Sequence, residues 1–327
     1  MGFEDAIIKL REPAPQYVLG CLPAIATVGT TPYEGLITKV LWILRCLGSP
    51  FCGLMYFCAV GHDQIAMCVY WLPHTSFKMI RESTNRFAIN EGGDNTYEPI
   101  PYRVFGYHAR ELVLTDEQRN ILNGCIAEAS ALDRLASVAS AYHIMVGIFS
   151  GLSRIVGTCI KQDWPHIPMS LAWILPAIYV RVIYGKVVFV DPRNKLTDEI
   201  IVRQLDPRKK KIISIYVTLI ALLTIIFPWT AVILAYITPP IGFYCRSKFL
   251  SIICSIWSLN SIVAFLSHIM GEKTAECGKK RSFLFCFSGL VILFLFAFLG
   301  VLSDQSTLWV QIFGQSCDIS GACTKSE

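Results

Sequence analysis

In the C-terminal half of the chain, three apolar runs of more than 20 residues contain no Asp, Glu, Lys or Arg, and they restrict the fold more than any other feature. The runs are 212–245, 249–271 and 282–303. A helix that crosses a membrane needs about 20 apolar residues, because the hydrocarbon core is about 30 Å thick. The first run contains Pro239-Pro240, so its helix is expected to end near Thr238. Each run predicts a transmembrane helix.

Composition points to the same class of protein. The 327 residues are 54% hydrophobic and 16% charged, with a mean hydropathy of +0.50. Soluble domains carry about 25% charged residues. These values exclude a disordered chain and a nucleic-acid-binding domain, and they argue strongly against a soluble enzyme. The net charge of +5 is small and is explained by the loops.

Two further apolar runs, 136–160 and 170–190, are interrupted by only a few basic or titratable residues, among them Arg154 and Arg181. A long basic side chain near a helix end can reach the membrane interface, so both runs still predict spans. The short link 161–167 makes them an antiparallel pair. With the three uncharged runs they form a predicted core of five transmembrane helices.

Loop charges predict the orientation. The loop 191–211 contains seven Lys and Arg residues and 271–281 contains four, whereas 161–167, 239–248 and 303–327 contain four in total. Cytoplasmic loops of membrane proteins carry the excess of Lys and Arg. The two basic loops are therefore predicted to be cytoplasmic, and the C-terminus is predicted to lie outside the cell or in a lumen. The plasma membrane and an endomembrane both fit this topology.

The N-terminal region, residues 1–72, is predicted to hold one or two spans and an interfacial helix. The run 13–33 is uncharged but rich in proline, which indicates a weak or re-entrant span. Residues 34–45 have the pattern of an amphipathic helix that lies on the membrane surface. Residues 46–72 are apolar apart from His62-Asp63. The prediction for the whole chain is six or seven helices.

The predicted fold is all-α, a polytopic transmembrane helix bundle with a small, partly helical cytoplasmic cap. The cap is the polar stretch 73–134, the five-helix core is 135–303, and 304–327 is an outer or lumenal tail. Within the cap, Thr115-Asp-Glu-Gln118 has the pattern of a capping box. We expect a helix to start there and to continue into the first span of the core.

Several short motifs of the C-terminal half are distinctive. They are Asp163-Trp-Pro-His-Ile-Pro168, Leu175-Pro-Ala-Ile178, Val190-Asp-Pro192, Thr238-Pro-Pro-Ile-Gly-Phe-Tyr-Cys-Arg-Ser247 and Ser255-Ile-Trp-Ser258. With them, roughly residues 160–327 resemble a large fungal family of multi-pass membrane proteins that has no established function. The resemblance implies a eukaryotic polytopic protein and implies no activity.

Ionisable residues at membrane depth are the candidate ion or proton site. His62 and Asp63 fall inside an apolar run, where a carboxylate is costly and is expected to face a partner or water. The alternative is a bend at the interface between two short segments. Arg181 is a possible partner of Asp63, or a contact for an anionic substrate or lipid headgroup. The alternative interpretation of Arg181 is a side chain that extends to the cytoplasmic face.

Two small residues and four cysteines suggest packing contacts and disulfides. Gly147 and Gly151 form a G-x-x-x-G pattern, which allows a close approach of another helix within the bundle or in a homo-oligomer. The cysteines predicted on the outer face are candidates for a disulfide, with buried free thiols as the alternative. They are Cys159, Cys245, Cys317 and Cys323.

Four consecutive cations, Arg208, Lys209, Lys210 and Lys211, end the loop 191–211. Such a cluster can bind anionic lipids of the bilayer, each cation contributing about 1 kcal/mol. The alternative is a topology signal that needs no ligand.

Enzyme signatures are missing from the sequence. It contains no H-E-x-x-H motif, no Walker A loop and no C-x-x-C pair, so we predict no catalytic residue, no metal and no cofactor. The sequence leads to a membrane protein that acts as an ion channel or transporter. The alternative is a non-catalytic scaffold or adaptor that acts through homo-oligomerisation or protein partners. No nucleic-acid partner is expected.

Overall fold

The computed structural model describes eleven stretches of the chain, and they are mostly helical. The stretches are residues 36–55, 81–82, 98–99, 112–113, 116–124, 126–156, 166–188, 201–202, 207–238, 241–270 and 275–297. In chain order the helices are α1 (Leu36–Gly48), α2 (Asp116–Asn123), α3 (Ala131–Ile155), α4 (His166–Ser170), α5 (Leu175–Tyr184), α6 (Pro207–Ile237), α7 (Cys245–Met270) and α8 (Ala275–Ala297). Residues 50–55 are also helical.

Two described helices are long and apolar enough to cross a membrane. These stretches are Ile215–Ile237 in α6 and Arg246–Ile269 in α7. Both were expected from the uncharged runs. Helix α6 ends at Ile237, directly before the predicted limit at Thr238, because the residues that follow Thr238 are two prolines. The helices pack side by side in opposite directions, with Ser258 beside Ile225 and Cys254 beside Pro228.

Helix α1 is not the surface helix that was expected over residues 34–45. It continues to Gly48, and its second half is buried against α8. The backbones approach closely at two glycines. A side-chain carbon on Gly48 would overlap the carbonyl oxygen of Phe285, and one on Gly289 would overlap that of Leu44. Small residues at such positions let helices approach each other. In the second half of α1, the apolar residues thus pack within the protein.

The prediction of one continuous span over 170–190 is wrong. The chain forms the short helix α4, a 3-10 turn over Ala172–Ile174, helix α5 and then a strand. Gly185 ends α5 in the left-handed conformation, with φ of 57°, where glycine has no steric penalty. The apolar helical stretch Ala172–Tyr184 is shorter than the run of about 20 residues that a typical span needs.

The helix expected to start at Thr115 and to run into the core is two helices. Helix α2 begins at Asp116 but ends at Asn123, and a strand follows it. A new capping box then starts α3. The backbone N–H of Asp133 donates to Ser130 Oγ, and the backbone N–H of Ser130 donates to Asp133 Oδ2, both at 3.2 Å. The box satisfies two amides that have no partner within the helix.

Helices α6 and α8 extend into the two loops that were predicted to be basic and cytoplasmic. Helix α6 starts at Pro207 and helix α8 at Ala275. Proline is favoured at the first helical position, because it has no N–H to satisfy there. The cluster 208–211 therefore lies in the first turns of α6.

Short strands connect segments that are distant in sequence. The strands are β1 (Arg81–Glu82), β2 (Glu98–Pro99), β3 (Leu112–Val113), β4 (Ile126–Glu128), β5 (Lys186–Val188) and β6 (Ile201–Val202). One sheet has the order β2-β1-β6-β3, with β1 and β6 parallel. Strand β4 pairs with β5 in antiparallel register, with Glu128 opposite Lys186. The predicted cap 73–134 and the loop 191–211 therefore share a sheet.

Candidate functional site

Side chains of helix α7 donate hydrogen bonds to the backbone where the helix is interrupted, between α1 and residues 50–55. The break lies at Ser49-Pro50, and proline cannot donate a backbone hydrogen bond. Trp257 Nε1 donates to the Leu47 carbonyl at 2.7 Å. Asn260 Nδ2 donates to the Gly48 carbonyl at 2.8 Å. These carbonyls belong to the last turn of α1, next to the donor that is missing at Pro50.

Helix α7 also donates side-chain hydrogen bonds near a second proline, which lies in the neighbouring helix α6. Pro228 lies inside α6 and removes one backbone donor from that helix. Ser258 Oγ donates to the Ile225 carbonyl at 3.0 Å, and Cys254 Sγ lies 3.3 Å from the Pro228 carbonyl. Trp229 Nε1 donates to Ser258 Oγ at 2.9 Å. Helix α7 thus contributes side-chain hydrogen bonds to backbone carbonyls near both prolines.

Three polar atoms near the first interruption are buried without a hydrogen-bond partner among the described residues. They are Ser49 Oγ, Ser261 Oγ and Trp173 Nε1, and the three residues are at most 1% exposed. Ser49 follows the carbonyls that α7 binds, Ser261 lies one turn after Trp257, and the Trp173 ring meets Trp257 edge-on at 6.2 Å.

Ser261 lies on the face of α7 that meets the interruption. Residues on both sides of it along that face contact the same stretch of chain. Trp257 binds Leu47, and the rings of His268 and Phe51 are 5.8 Å apart. Residues spaced by three or four positions share a helix face, which includes Ser261. The unpartnered hydroxyls therefore belong to one packed junction.

Arg45 is a buried cation that the sequence did not single out. It is 4% exposed in the last turn of α1, and its guanidinium lies 5.6 Å from the ring centroid of Trp42. A guanidinium over an indole face is a cation–π pair. In the sequence, Arg45 ends a pattern typical of a surface helix. The only signal for burial was the uncharged run that follows it at once.

Arg181, a predicted site residue, is also buried, at 4% exposure. It lies in the last turn of α5, and its carbonyl accepts a hydrogen bond from the Gly185 N–H at 3.0 Å. A cation is favoured there by the helix dipole. His62 and Asp63 lie outside the described residues, so their pairing with Arg181 stays a prediction.

The G-x-x-x-G pattern is only half described. Gly147 is buried on the face of α3 that also holds Ser137, Ser140 and Ile144. That face is turned toward the rest of the protein, which fits packing within one bundle. Gly151 lies in the same helix, but its surroundings fall outside the described residues.

The predicted outer cysteines fall mostly outside the described residues. Cys159, Cys317 and Cys323 lie there, and Cys245 is described only as the first residue of α7. The free thiols of the described part are elsewhere, at Cys46, Cys52, Cys254 and Cys286. Among the described residues, no group of three or more His, Cys, Asp or Glu is placed to hold a metal ion.

The backbone of Arg208, Lys209, Lys210 and Lys211 forms the start of α6. Cations at a helix N-terminus are disfavoured by the helix dipole, whereas anions are favoured there. The helix dipole therefore does not explain this cluster. Its role as a contact for anionic lipids stays a prediction.

The chain was compared with family models, curated proteins and solved structures, and none of them matches it. The junction around Trp257 offers buried hydrogen-bond donors next to an interrupted helix.

Proposed function

We propose that the chain is a multi-pass membrane protein that conducts or transports a small solute. The observation that carries this proposal is the distribution of side chains over the described helices. Buried positions include Arg45, Arg181, Asn260 and several hydroxyls, whereas large apolar side chains are exposed. In water that distribution is unfavourable, because exposed apolar area costs free energy. In a bilayer it provides a lipid-facing surface around an interior that contains polar groups.

Helix α8 illustrates the exposed surface. Phe283, Phe287, Leu290 and Phe294 follow one face of the helix, and each is at least 50% exposed. Contiguous exposed apolar patches of this kind mark contacts with a membrane or with another protein. We propose α3 and α8 as further spans beside α6 and α7, with the broken helical segment 166–184 crossing back beside α3, within the predicted bundle of six or seven helices.

Strand pairing supports the proposed topology. Strand β6 belongs to the loop 191–211 and pairs with β1 and β3 of the cap. Both segments must therefore lie on the same side of the membrane. The proposal places them in the cytoplasm, in agreement with the excess of Lys and Arg in the loop.

The interrupted helices favour transport. Interrupted backbone at membrane depth is tolerated where neighbouring protein or a water-filled cavity satisfies it. Here the interruption at Ser49-Pro50 lies beside buried polar groups, including Asn260. Proline kinks occur in other bundles too, and this buried polar setting is what distinguishes the site.

Currents and uptake test the transport proposal. In planar bilayers and proteoliposomes, we expect Arg45→Gln to change the conductance or uptake rate of the purified protein by about tenfold. Loss of a fixed buried charge changes the electrostatic profile of a nearby pathway. Lys39→Gln is the matched control, because Lys39 lies on the same helix but is exposed. No current and no uptake from folded protein over a panel of salts would contradict transport.

The second candidate function is a scaffold that acts through homo-oligomerisation, and α3 favours it. Tyr142 and His143 are exposed near the middle of this 25-residue helix, and the small residue Ala139 is exposed one turn before His143. An imidazole exposed to lipid at that depth is costly, and hydrogen bonds from polar side chains such as His join helices in membranes. In a symmetric pair of α3 helices, each imidazole can bond to the tyrosine hydroxyl of the other copy.

Single-molecule photobleaching in liposomes tests the scaffold. We expect His143→Leu to weaken self-association about tenfold, since two symmetric hydrogen bonds of about 0.6 kcal/mol each would be lost. Met145→Leu is the control, because Met145 is exposed on another side of α3. A native protein that is monomeric at every protein-to-lipid ratio would contradict the scaffold. Equal self-association of His143→Leu and Met145→Leu would contradict it as well.

A further inference from the structure

Helix α8 carries one stripe of exposed side chains that begins with a cation. Its five members are spaced by three or four positions, so they share one face of the helix. They are Lys280, Phe283, Phe287, Leu290 and Phe294. All five are exposed, and the exposed fractions of the four apolar ones lie between 50% and 72%. A charged head followed by an apolar surface is also the order of groups in a phospholipid.

The charge at the head of this stripe is positive. Residues 276–281 contain three cations and one carboxylate, a net charge of +2, and they are Glu276, Lys279, Lys280 and Arg281. The loop 271–281 is predicted to be cytoplasmic. Anionic lipids of the cytoplasmic leaflet attract Lys and Arg side chains at the membrane surface. The headgroup of an anionic lipid therefore complements this end of the stripe.

The apolar part of the stripe has the length of one lipid leaflet. Phe283 and Phe294 are 11 positions apart, which is about 16 Å along a helix that rises about 1.5 Å per residue. The hydrocarbon core is about 30 Å thick, so one leaflet is about 15 Å. The rings of Phe283 and Phe287 stack, with centroids 6.4 Å apart and planes 16° apart, and they form a continuous surface. A single acyl chain that starts at the level of Lys280 can cover the whole stripe.

A second copy of the protein fits this stripe less well. Helices that associate in membranes place small residues at the contact, whereas Gly289, a small residue of α8, faces α1. In a symmetric pair both α8 helices would run in the same direction, so the Lys280 side chains of the two copies would approach each other. Like charges repel, and the repulsion grows where the membrane lowers the dielectric constant. A lipid with a negative headgroup avoids both costs.

We propose that α8 binds one anionic phospholipid, with the headgroup at Lys280 and an acyl chain along the four apolar residues of the stripe. The inference rests on the proposal that α8 is a span, and it holds whether the protein transports a solute or acts as a scaffold. The site is separate from the cluster 208–211, which belongs to α6.

Photo-cross-linking of the full-length protein in phosphatidylcholine vesicles tests this site. Two probes are compared, phosphatidylserine and phosphatidylcholine, each with the same diazirine-labelled acyl chain. The label is measured on the tryptic peptide that begins at Ser282. We expect this peptide to prefer the phosphatidylserine probe by at least about fivefold, because one cation at the membrane surface contributes about 1 kcal/mol. Lys280→Gln should lower that preference about fivefold, for the same reason.

Two further variants serve as controls. Lys280→Arg keeps the charge and should keep the preference. Lys39→Gln removes an exposed cation from α1 and should leave the preference of the α8 peptide unchanged. If Lys280→Gln does not fold, Lys280→Ala removes the same charge with a residue that helices favour, and it is read in the same way.

The outcomes separate the lipid site from the proposal that α8 is a span. Equal labelling of the α8 peptide by both probes overturns the site and leaves α8 as an ordinary lipid-facing helix. A preference that survives Lys280→Gln overturns the site as well. If both probes label α6 but neither labels α8, protein covers the stripe, and the lipid-facing position of α8 is contradicted together with the site.

Discussion

Gly48→Ala and Gly289→Ala are each expected to lower the free energy of unfolding by about 2–3 kcal/mol. In both cases the added methyl group would overlap a backbone carbonyl oxygen of the partner helix, of Phe285 and Leu44 respectively. Backbone cannot move aside as a flexible side chain can, so α1 and α8 must separate. Without this clash, glycine to alanine within a helix would stabilise it by up to about 1 kcal/mol. Thermal unfolding of the purified protein measures the change.

Gly124→Ala is the matched control for these substitutions. Its added carbon would meet only two carbonyl oxygens of its own turn, at 3.4 and 3.5 Å, which is ordinary contact. We expect a change of less than about 1 kcal/mol there. The double variant of Gly48 and Gly289 should be less destabilised than the sum of the two, because one separation of the helices relieves both clashes. Wild-type stability of Gly48→Ala would contradict the close crossing.

Trp257→Ala is expected to cost about 3–5 kcal/mol of stability, the range for removing a fully buried tryptophan. The side chain is 0% exposed, packs edge-on against Trp173, and donates to the Leu47 carbonyl. Trp257→Phe keeps most of the volume and removes the donor. It should cost about 1–3 kcal/mol, the penalty for leaving a buried acceptor without its partner. The two variants separate the packing contribution from the hydrogen bond.

Trp229→Phe gives the comparison for the lost donor. Its indole also donates a hydrogen bond, to Ser258 Oγ at 2.9 Å, but Trp229 is only half-buried, and the partner is a hydroxyl that can find other bonds. We therefore expect a smaller loss, about 1 kcal/mol. If Trp257→Phe and Trp229→Phe lower the free energy of unfolding equally, the hydrogen bond from Trp257 to the Leu47 carbonyl does not stabilise the protein more than the bond from Trp229 to Ser258.

The positions of α6 and α7 could be predicted from the sequence because local features determine them. An uncharged run longer than 20 residues indicates a helix that is long and apolar enough to cross a membrane. Pro239-Pro240 ends the first of these helices. Neither feature depends on distant residues. The excess of Lys and Arg in 191–211 is equally local, and the cytoplasmic side that it indicates stays a prediction.

The burial of α1 could not be predicted, since two environments produce the same pattern. A helix on a membrane surface and a helix packed on a neighbour both have one apolar face. The close contacts at Gly48 and Gly289 distinguish the two environments. These glycines are 241 positions apart, and one sequence does not show that they meet. Arg45 was missed for the same reason, because its charge fits the polar face of a surface helix.

The candidate site depends on contacts between residues that are far apart in sequence. Proline at position 50 suggests an interruption, but nothing local indicates that Trp257 and Asn260 bind the carbonyls before it. The division of 170–190 into helix and strand has a similar origin. Strand β5 exists because it pairs with β4, nearly 60 positions earlier. Apolar composition alone does not distinguish such a strand from the end of a span.

The hydrogen bonds from α7 to the interruption after α1 also determine the order in which the protein can be assembled. Leu47 and Trp257 are 210 positions apart, and Gly48 and Asn260 are 212 apart. The ribosome therefore delivers the acceptors long before their donors, since synthesis proceeds at about 5–20 residues per second. For about 10–40 seconds those carbonyls have to use other hydrogen-bond partners, such as water. The last turn of α1 thus obtains its final hydrogen bonds only after α7 has been synthesised.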